Sequence, residues 1–241
     1  MISATKAIVL HKIKYSDSKT IVHAYTLNFG RISLMINHSA KNKQTKIKNY
    51  LQPLAIIEIE LYYKKSREIH TIKNVHNVHP FRSIPYDIKK TTQALFLAEI
   101  LTKTLKEEVS DIDLFNFVSK AILFLDDMKH NSTLFHVKFM MQLTTHLGFA
   151  PTGNYTVEDV YFDLAEGCFK KQVPVHTLYM DKENSKAWYD LLLIPFEQLQ
   201  DIKFNKNIKS SLLENVIRYY QLHLLNNKEI NSYPILKNLF Q

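Results

Sequence analysis

The chain has 241 residues, a net charge of +8, four glycines and one cysteine. That length can bury one large core or two modest ones without staples. Cys168 alone excludes an internal disulfide and a cysteine-built zinc site, and it points to a reduced, cytoplasmic setting. The apolar runs, residues 7–10 and the 188–196 stretch broken by Asp190 and Pro195, are too short for a signal-peptide core or a bilayer span, so no membrane partner is expected.

The first third holds candidate strands at Thr5–Tyr15, Lys19–Thr26, Arg31–Asn37, Leu54–Tyr63 and Glu68–His76, all rich in β-branched and aromatic residues. Alternation is clearest where Ile57, Ile59 and Leu61 interleave with Glu58 and Glu60. A tight polar turn at Tyr15–Ser18, and Gly30 where a hairpin needs positive φ, make the first three strands antiparallel neighbours. The connection from Asn37 to Pro53 is longer than a hairpin needs, and loops of that length in compact domains are usually functional or disordered. Five strands with this spacing predict a small barrel of the OB type, with an SH3-like barrel as the competing arrangement.

Beyond the two prolines at 80 and 85 the period changes. Ile88, Thr91, Leu95, Ala98, Leu101 and Leu105 recur every three or four residues, predicting an amphipathic helix. Further helices are expected at Asp111–Met128, Ser132–Leu147 (ended by Gly148 and Pro151), Asn184–Leu193 and Ser210–Leu225. The expected fold is thus α+β multidomain: an OB-type β-barrel at 1–80, then an α-helical domain at 81–241 with an irregular excursion at 150–174.

Catalytic signatures are absent: no glycine-rich phosphate loop, HExxH, GxSxG or CxxC occurs. His70 and His76 share a strand face, but His76 and His79 lack a standard ligand spacing and no acid follows Glu68, so no metal is expected. The adjacent acids Asp126/Asp127 and Glu158/Asp159 point apart and are expected to be helix-end or loop charges. A non-enzymatic protein without cofactor follows.

Charge is the stronger signal. Residues 1–80 carry thirteen Lys/Arg against four acids, whereas the remainder is nearly balanced, and the forty residues between Asp17 and Glu58 hold no acid. A merely solvated surface would mix both signs. Lysines that follow a phosphate backbone, interleaved with rings on which bases stack, are what a sequence-tolerant single-strand binder requires. The candidate DNA contacts are Lys41, Lys43, Lys46 and Lys48 of the long connection, with Lys12, Lys19, Arg31 and Arg67, and stacking on one or two of Tyr15, Tyr50 and Tyr63. A basic barrel suits an RNA-binding OB protein of the translation apparatus equally well.

Residues 9–41, Leu51–Pro53, Leu95–Glu99, Leu114–Phe115, His146–Thr152 and Phe162–Phe169 together resemble the bacterial RecO recombination-mediator family. The likeness is most specific at Tyr15 and Asp17 and in the element Thr26, Gly30, Arg31. It implies an N-terminal OB-fold, a helical C-terminal domain and no enzymatic activity. It also implies binding to single- and double-stranded DNA, strand annealing, and action with RecR in helping RecA replace the single-stranded-DNA-binding protein, in a nucleoid-associated setting. Members of the family further bind the acidic, hydrophobic C-terminal tail of that protein through a pocket in the helical domain; Lys138 and Arg218 are the cations that chemistry suggests for it. Two departures stand out. Only Cys168 remains where some members carry a four-cysteine zinc module, so none is expected, and Asn37, His38 and Ser39 replace the glycine that often opens the basic loop.

Overall fold

The computed structural model describes residues 2–37, 50–106, 109–129 and 133–240. Lys41, Lys43, Lys46 and Lys48 lie outside them. The chain forms two compact units, Met1–Met128 and Lys129–Gln241.

In the first unit, β1 (Ile2–Ser16), β2 (Lys19–Thr26), β3 (Gly30–Asn37), β4 (Ile56–Tyr62) and β5 (Ile69–Asn77) close into a barrel of order β1-β2-β3-β5-β4. The β3–β5 pairing is parallel, from Ser33 opposite Ile69 to Met35 opposite Thr71, and every other pairing is antiparallel. This is the OB arrangement, and it settles the choice against an SH3-like barrel. Alternation places Val22, Ala24, Ile32, Leu34, Ile57, Ile59 and Leu61 inside, where all are buried, while Glu58 and Glu60 face outward opposite Lys6 and Ala4. Each Val, Ile or Leu among them contributes roughly 1.5–3 kcal/mol by leaving water. A register shift between Val9 and His11 turns β1 over, so that beyond it the odd-numbered residues point outward.

Two helices belong to the same unit, α1 (Ile88–Thr104) and α2 (Ile112–Asp127), capped by the carboxylates of Asp87 and Asp111. The expected boundary at residue 80 marks where the period changes; by packing, these helices stay with the barrel. The apolar face of α1 also differs from expectation. Ala98, Leu101 and Leu105 are buried as expected, but Ile88 and Leu95 are exposed, and Phe96, Leu97 and Ile100 are buried as well. A helix enclosed on two sides buries a wider arc than a single stripe, and Lys90, Gln93 and Thr104 are drawn inside with it.

A polar node ties the entry of α1 to the end of α2. The buried Asp126 carboxylate accepts from the backbone N–H groups of Arg82 (2.8 Å), Ser83 (2.9 Å) and Ile84 (2.9 Å). The Lys90 ammonium donates to Ser83 Oγ (2.6 Å) and to the carbonyls of Asp126 (2.9 Å) and Met128 (2.6 Å). Burial pushes the Asp126 carboxyl up, but these hydrogen bonds outweigh it and hold the group below the usual range.

The second unit contains α3 (Phe135–His146), α4 (Lys182–Leu193), α5 (Lys206–His223) and α6 (Tyr233–Phe240). The excursion resolves into a small antiparallel sheet of order β7-β6-β8, with β6 (Tyr161–Asp163), β7 (Cys168–Lys170) and β8 (Tyr179–Met180). Rings hold it: Phe162 stacks on Trp188 at 5.3 Å and meets Phe169 edge-on at 4.9 Å, while Tyr155 and Tyr189 flank Phe169. Helices α4 and α5 start earlier than apolar periodicity suggests, because Asp181 and Asn205 cap them ahead of their first apolar residues. Helix α6, absent from the sequence reading, is a single short amphipathic element with Pro234 in its first turn. No described helix is long and apolar enough to cross a membrane.

Candidate nucleic-acid interface

The outer face of β1, β2 and β3 is organised in level rows. His11, His23 and Ser33 form one row; Ile13, Ile21, Met35 and Thr71 form the next, which continues around the barrel to Tyr62. Ile13 and Tyr62 are each about half exposed. At one end of this face the β1–β2 hairpin carries Tyr15 and Lys19, both exposed, with Lys19 opposite Asn37, where β3 leads into the long basic connection; Lys12 and Lys14, also exposed, project from the other side of β1. Tyr15 is 63% exposed, more open than any other described tyrosine of the barrel. At the other end, β5 begins at Ile69 level with Ser33, so the exposed turn bearing Lys64, Lys65 and Arg67 enters there. The arrangement is an apolar and imidazole-lined strip between two cationic borders, suited to a chain with phosphates along its edge and flat bases along its middle. Lys14 has a single exposed acidic neighbour, Asp17 at 2.6 Å.

Not every expected contact is free there. Arg31 lies on the same face but its guanidinium is already engaged: its Nη1 donates to the carbonyls of Thr102 (2.7 Å) and Leu105 (2.8 Å) at the end of α1. These are acceptors a helix end leaves unsatisfied, and a cation suits the negative end of the helix dipole. The expectation that Arg31 joins the phosphate-binding lysines is therefore corrected to a structural clamp. The neighbouring family residues serve the same clamp. Thr26 Oγ1 donates to Gly30 O (2.8 Å) and accepts from Phe29 N (3.0 Å), and Gly30 has φ +64° with the Val109 backbone so near that a Cβ would lie 2.5 Å from its carbonyl oxygen.

Tyr63 is corrected as well. It packs against the barrel core and stacks between Phe29 (4.0 Å) and His70 (4.8 Å), so both ring faces are used. Tyr50 also packs against the core. Strand parity carried the signal: with Ile59 and Leu61 inside, Tyr63 follows them inward and Tyr62 faces out.

In the second unit, Lys138 is 1% exposed, with Nζ donating to the carbonyls of Leu191 and Leu192 (2.9 Å each) at the end of α4. Burial lowers its ammonium to about 8. A peptide carboxylate has no access to it, which corrects the expectation that it receives one. Arg218 donates to Asn227 Oδ1 at 3.1 Å and borders a groove of about 660 Å³ whose charges balance, Arg218 and Lys237 against Glu214 and Glu229, so it offers an acidic peptide no net positive lining. A groove of about 330 Å³ has the opposite character: Lys206, Lys209 and Lys237 surround Leu213, Phe240 and the buried His136. Burial pushes the His136 imidazole down to about 3, so it is neutral there. Lys237 is paired with Glu214 at 2.7 Å, while among the described residues Lys206 and Lys209 form no ion pair. Sequence reasoning missed this groove because its parts come from α3, α5 and α6. Among the described residues no three His, Cys, Asp or Glu side chains stand close enough to hold a metal ion.

A closed β1-β2-β3-β5-β4 barrel with a cation-bordered outer face, followed in the chain by helices, defines the class of OB-fold nucleic-acid-binding proteins. Residues 1–81 match the family model for the recombination protein O N terminal and residues 85–229 that for its C terminal. The chain is 34% identical over 240 residues to the DNA repair protein RecO of Azobacteroides pseudotrichonymphae genomovar. CFP2, with 100% of each chain covered. It is 34% identical to that of Bacteroides fragilis over 242 residues, again covering 100% of each, and 32% identical to that of Flavobacterium psychrophilum over 238 residues, covering 98% of each. The chain belongs to the RecO family, and its role is in DNA repair by recombination.

Proposed function

We propose that the protein is a non-enzymatic recombination mediator that binds single- and double-stranded DNA and anneals complementary strands. With RecR, it helps load RecA onto DNA coated by the single-stranded-DNA-binding protein, in the bacterial cytoplasm at the nucleoid. The observation that carries this reading is the barrel's outer face, apolar in the middle and bordered by Lys19 and Tyr15 at one end and Arg67 at the other. Lys41, Lys43, Lys46 and Lys48 follow Asn37 in sequence and add four positive charges to the same stretch of chain. Neutralising the phosphates of two strands lets them approach and pair.

The tail of the single-stranded-DNA-binding protein, acidic and apolar, finds complementary chemistry in the groove of Lys206, Lys209, Leu213 and Phe240. The test is annealing of complementary oligonucleotides, bare and coated by that protein. Stimulation in both cases is expected, and none in either would overturn the reading. Competition between matched DNA and RNA separates it from an RNA-binding role: tighter RNA binding would favour the latter.

A further inference from the structure

In the middle of the outer face the imidazoles of His11 and His23 stack, centroids 4.4 Å apart and planes 20° from parallel. Each is held by a hydroxyl at Nδ1: Ser33 Oγ lies 3.0 Å from His23, and Thr102 Oγ1 of α1 lies 3.5 Å from His11. Both rings are half-buried. The charged neighbour on the same face is Arg31 of β3, one row away, its guanidinium engaged with the end of α1. On α1, Glu99 and Lys103 pair with each other at 3.5 Å, and Lys106 follows the helix; on the β5 side, Glu68 is exposed and Ile69 is apolar. Among the described residues no carboxylate is ion-paired to either imidazole, and Glu107 and Glu108 lie outside those residues.

We infer that the His11–His23 pair is a proton-linked anion contact, taking up a proton as a DNA phosphate settles on this face. The inference rests on the DNA-binding reading and adds to it a second source of affinity, one set by pH. The physical reason is the local balance of charge. A proton on either ring sits against the other ring and near Arg31 with no carboxylate to balance it, so the free protein disfavours it. Burial and the Arg31 charge hold His11 below the usual imidazole range; burial, His11 and Arg31 hold His23 there too. A phosphate supplies the missing negative charge and raises both. Proton uptake and DNA binding are then coupled, each favouring the other by the same factor.

The experiment measures affinity for an oligothymidylate, whose base does not titrate in this range, between pH 7.5 and 6.0 at fixed salt. It uses the full chain and the double variant His11→Asn, His23→Asn. The native protein is expected to tighten by about three- to tenfold over that interval, the limit for one linked proton being about tenfold per pH unit. The variant is expected to show a flat profile. As a second readout that needs no substitution, NMR titration of the histidine Cε1–H signals should show two imidazole midpoints moving upward when the oligonucleotide is added. If DNA binds but the variant keeps the native pH slope, or no midpoint moves, the proton linkage is wrong while the DNA-binding reading stands. If no oligonucleotide binds at any pH, both fall. A variant that does not fold, seen as loss of its thermal transition, leaves the NMR titration to decide.

Discussion

At the residue scale, the family-specific element Thr26–Gly30–Arg31 is a clamp between the β2–β3 hairpin and the end of α1. Gly30 has no room for a side chain and sits in the left-handed region, where a Cβ costs about 1–2 kcal/mol before any clash. Gly30→Ala should lower unfolding free energy by roughly 2–4 kcal/mol in a urea titration. Arg31→Ala leaves two helix-end carbonyls without their charged donor and should cost about 1.5–3 kcal/mol. Its salt dependence of DNA binding should stay as in the native protein; a flatter slope would return Arg31 to the phosphate contacts. His136 adds a pH dependence of stability. Its folded midpoint, about 3, lies below the ordinary 6.5, so the unfolded chain binds the extra proton between those values. Stability is complete above pH 6.5 and declines as pH falls toward 3, by up to roughly 1 kcal/mol per unit. Thermal melts from pH 7 to 5 compared with His136→Phe should show the steeper loss in the native chain.

At the element scale, helix ends are where buried charge is spent. Arg31 closes α1, Lys138 closes α4, and Asp126 accepts the three N–H groups that lead into α1. Asp126→Ala leaves those three donors without their acceptor and removes the largest carboxylate charge acting on the buried Lys90 ammonium, a change expected to cost about 3–5 kcal/mol by chemical denaturation. The groove among α3, α5 and α6 is the opposite case, with cations at its rim rather than sealed within. Lys206→Glu with Lys209→Glu should weaken a fluorescent acidic tail peptide by at least about tenfold, roughly 1.4 kcal/mol. Lys138→Met should leave that affinity unchanged; a loss there would place the peptide at the end of α4 instead.

At the scale of the whole molecule, the excess charge lies in the barrel's strands and connections, and DNA affinity should fall with salt accordingly. With about five phosphates neutralised, log K against log salt should slope at about −3.5 on single strands, and replacing Lys41, Lys43, Lys46 and Lys48 by Ala should flatten it. An unchanged slope would remove the long connection from the interface.

The strands, most helices, the acid-free basic tract and the family resemblance were legible along the chain, because period, turn chemistry and charge are local properties of sequence. The pairing that closes the barrel was not, since the parallel match of β3 with β5 joins Ser33 to Ile69 across the long connection. Nor was the division of labour among like residues. Tyr15 and Tyr63, or Lys12 and Lys138, are the same chemistry in one dimension; burial alone separates the ring that can meet a base from the ring that fills the core, and the lysine that meets water from the one that ends a helix. Sequence by itself determined that this chain holds a basic OB-type barrel followed by helices. Only the tertiary structure decided which cations and rings remain free to bind, because that depends on which helix ends and core gaps needed them first.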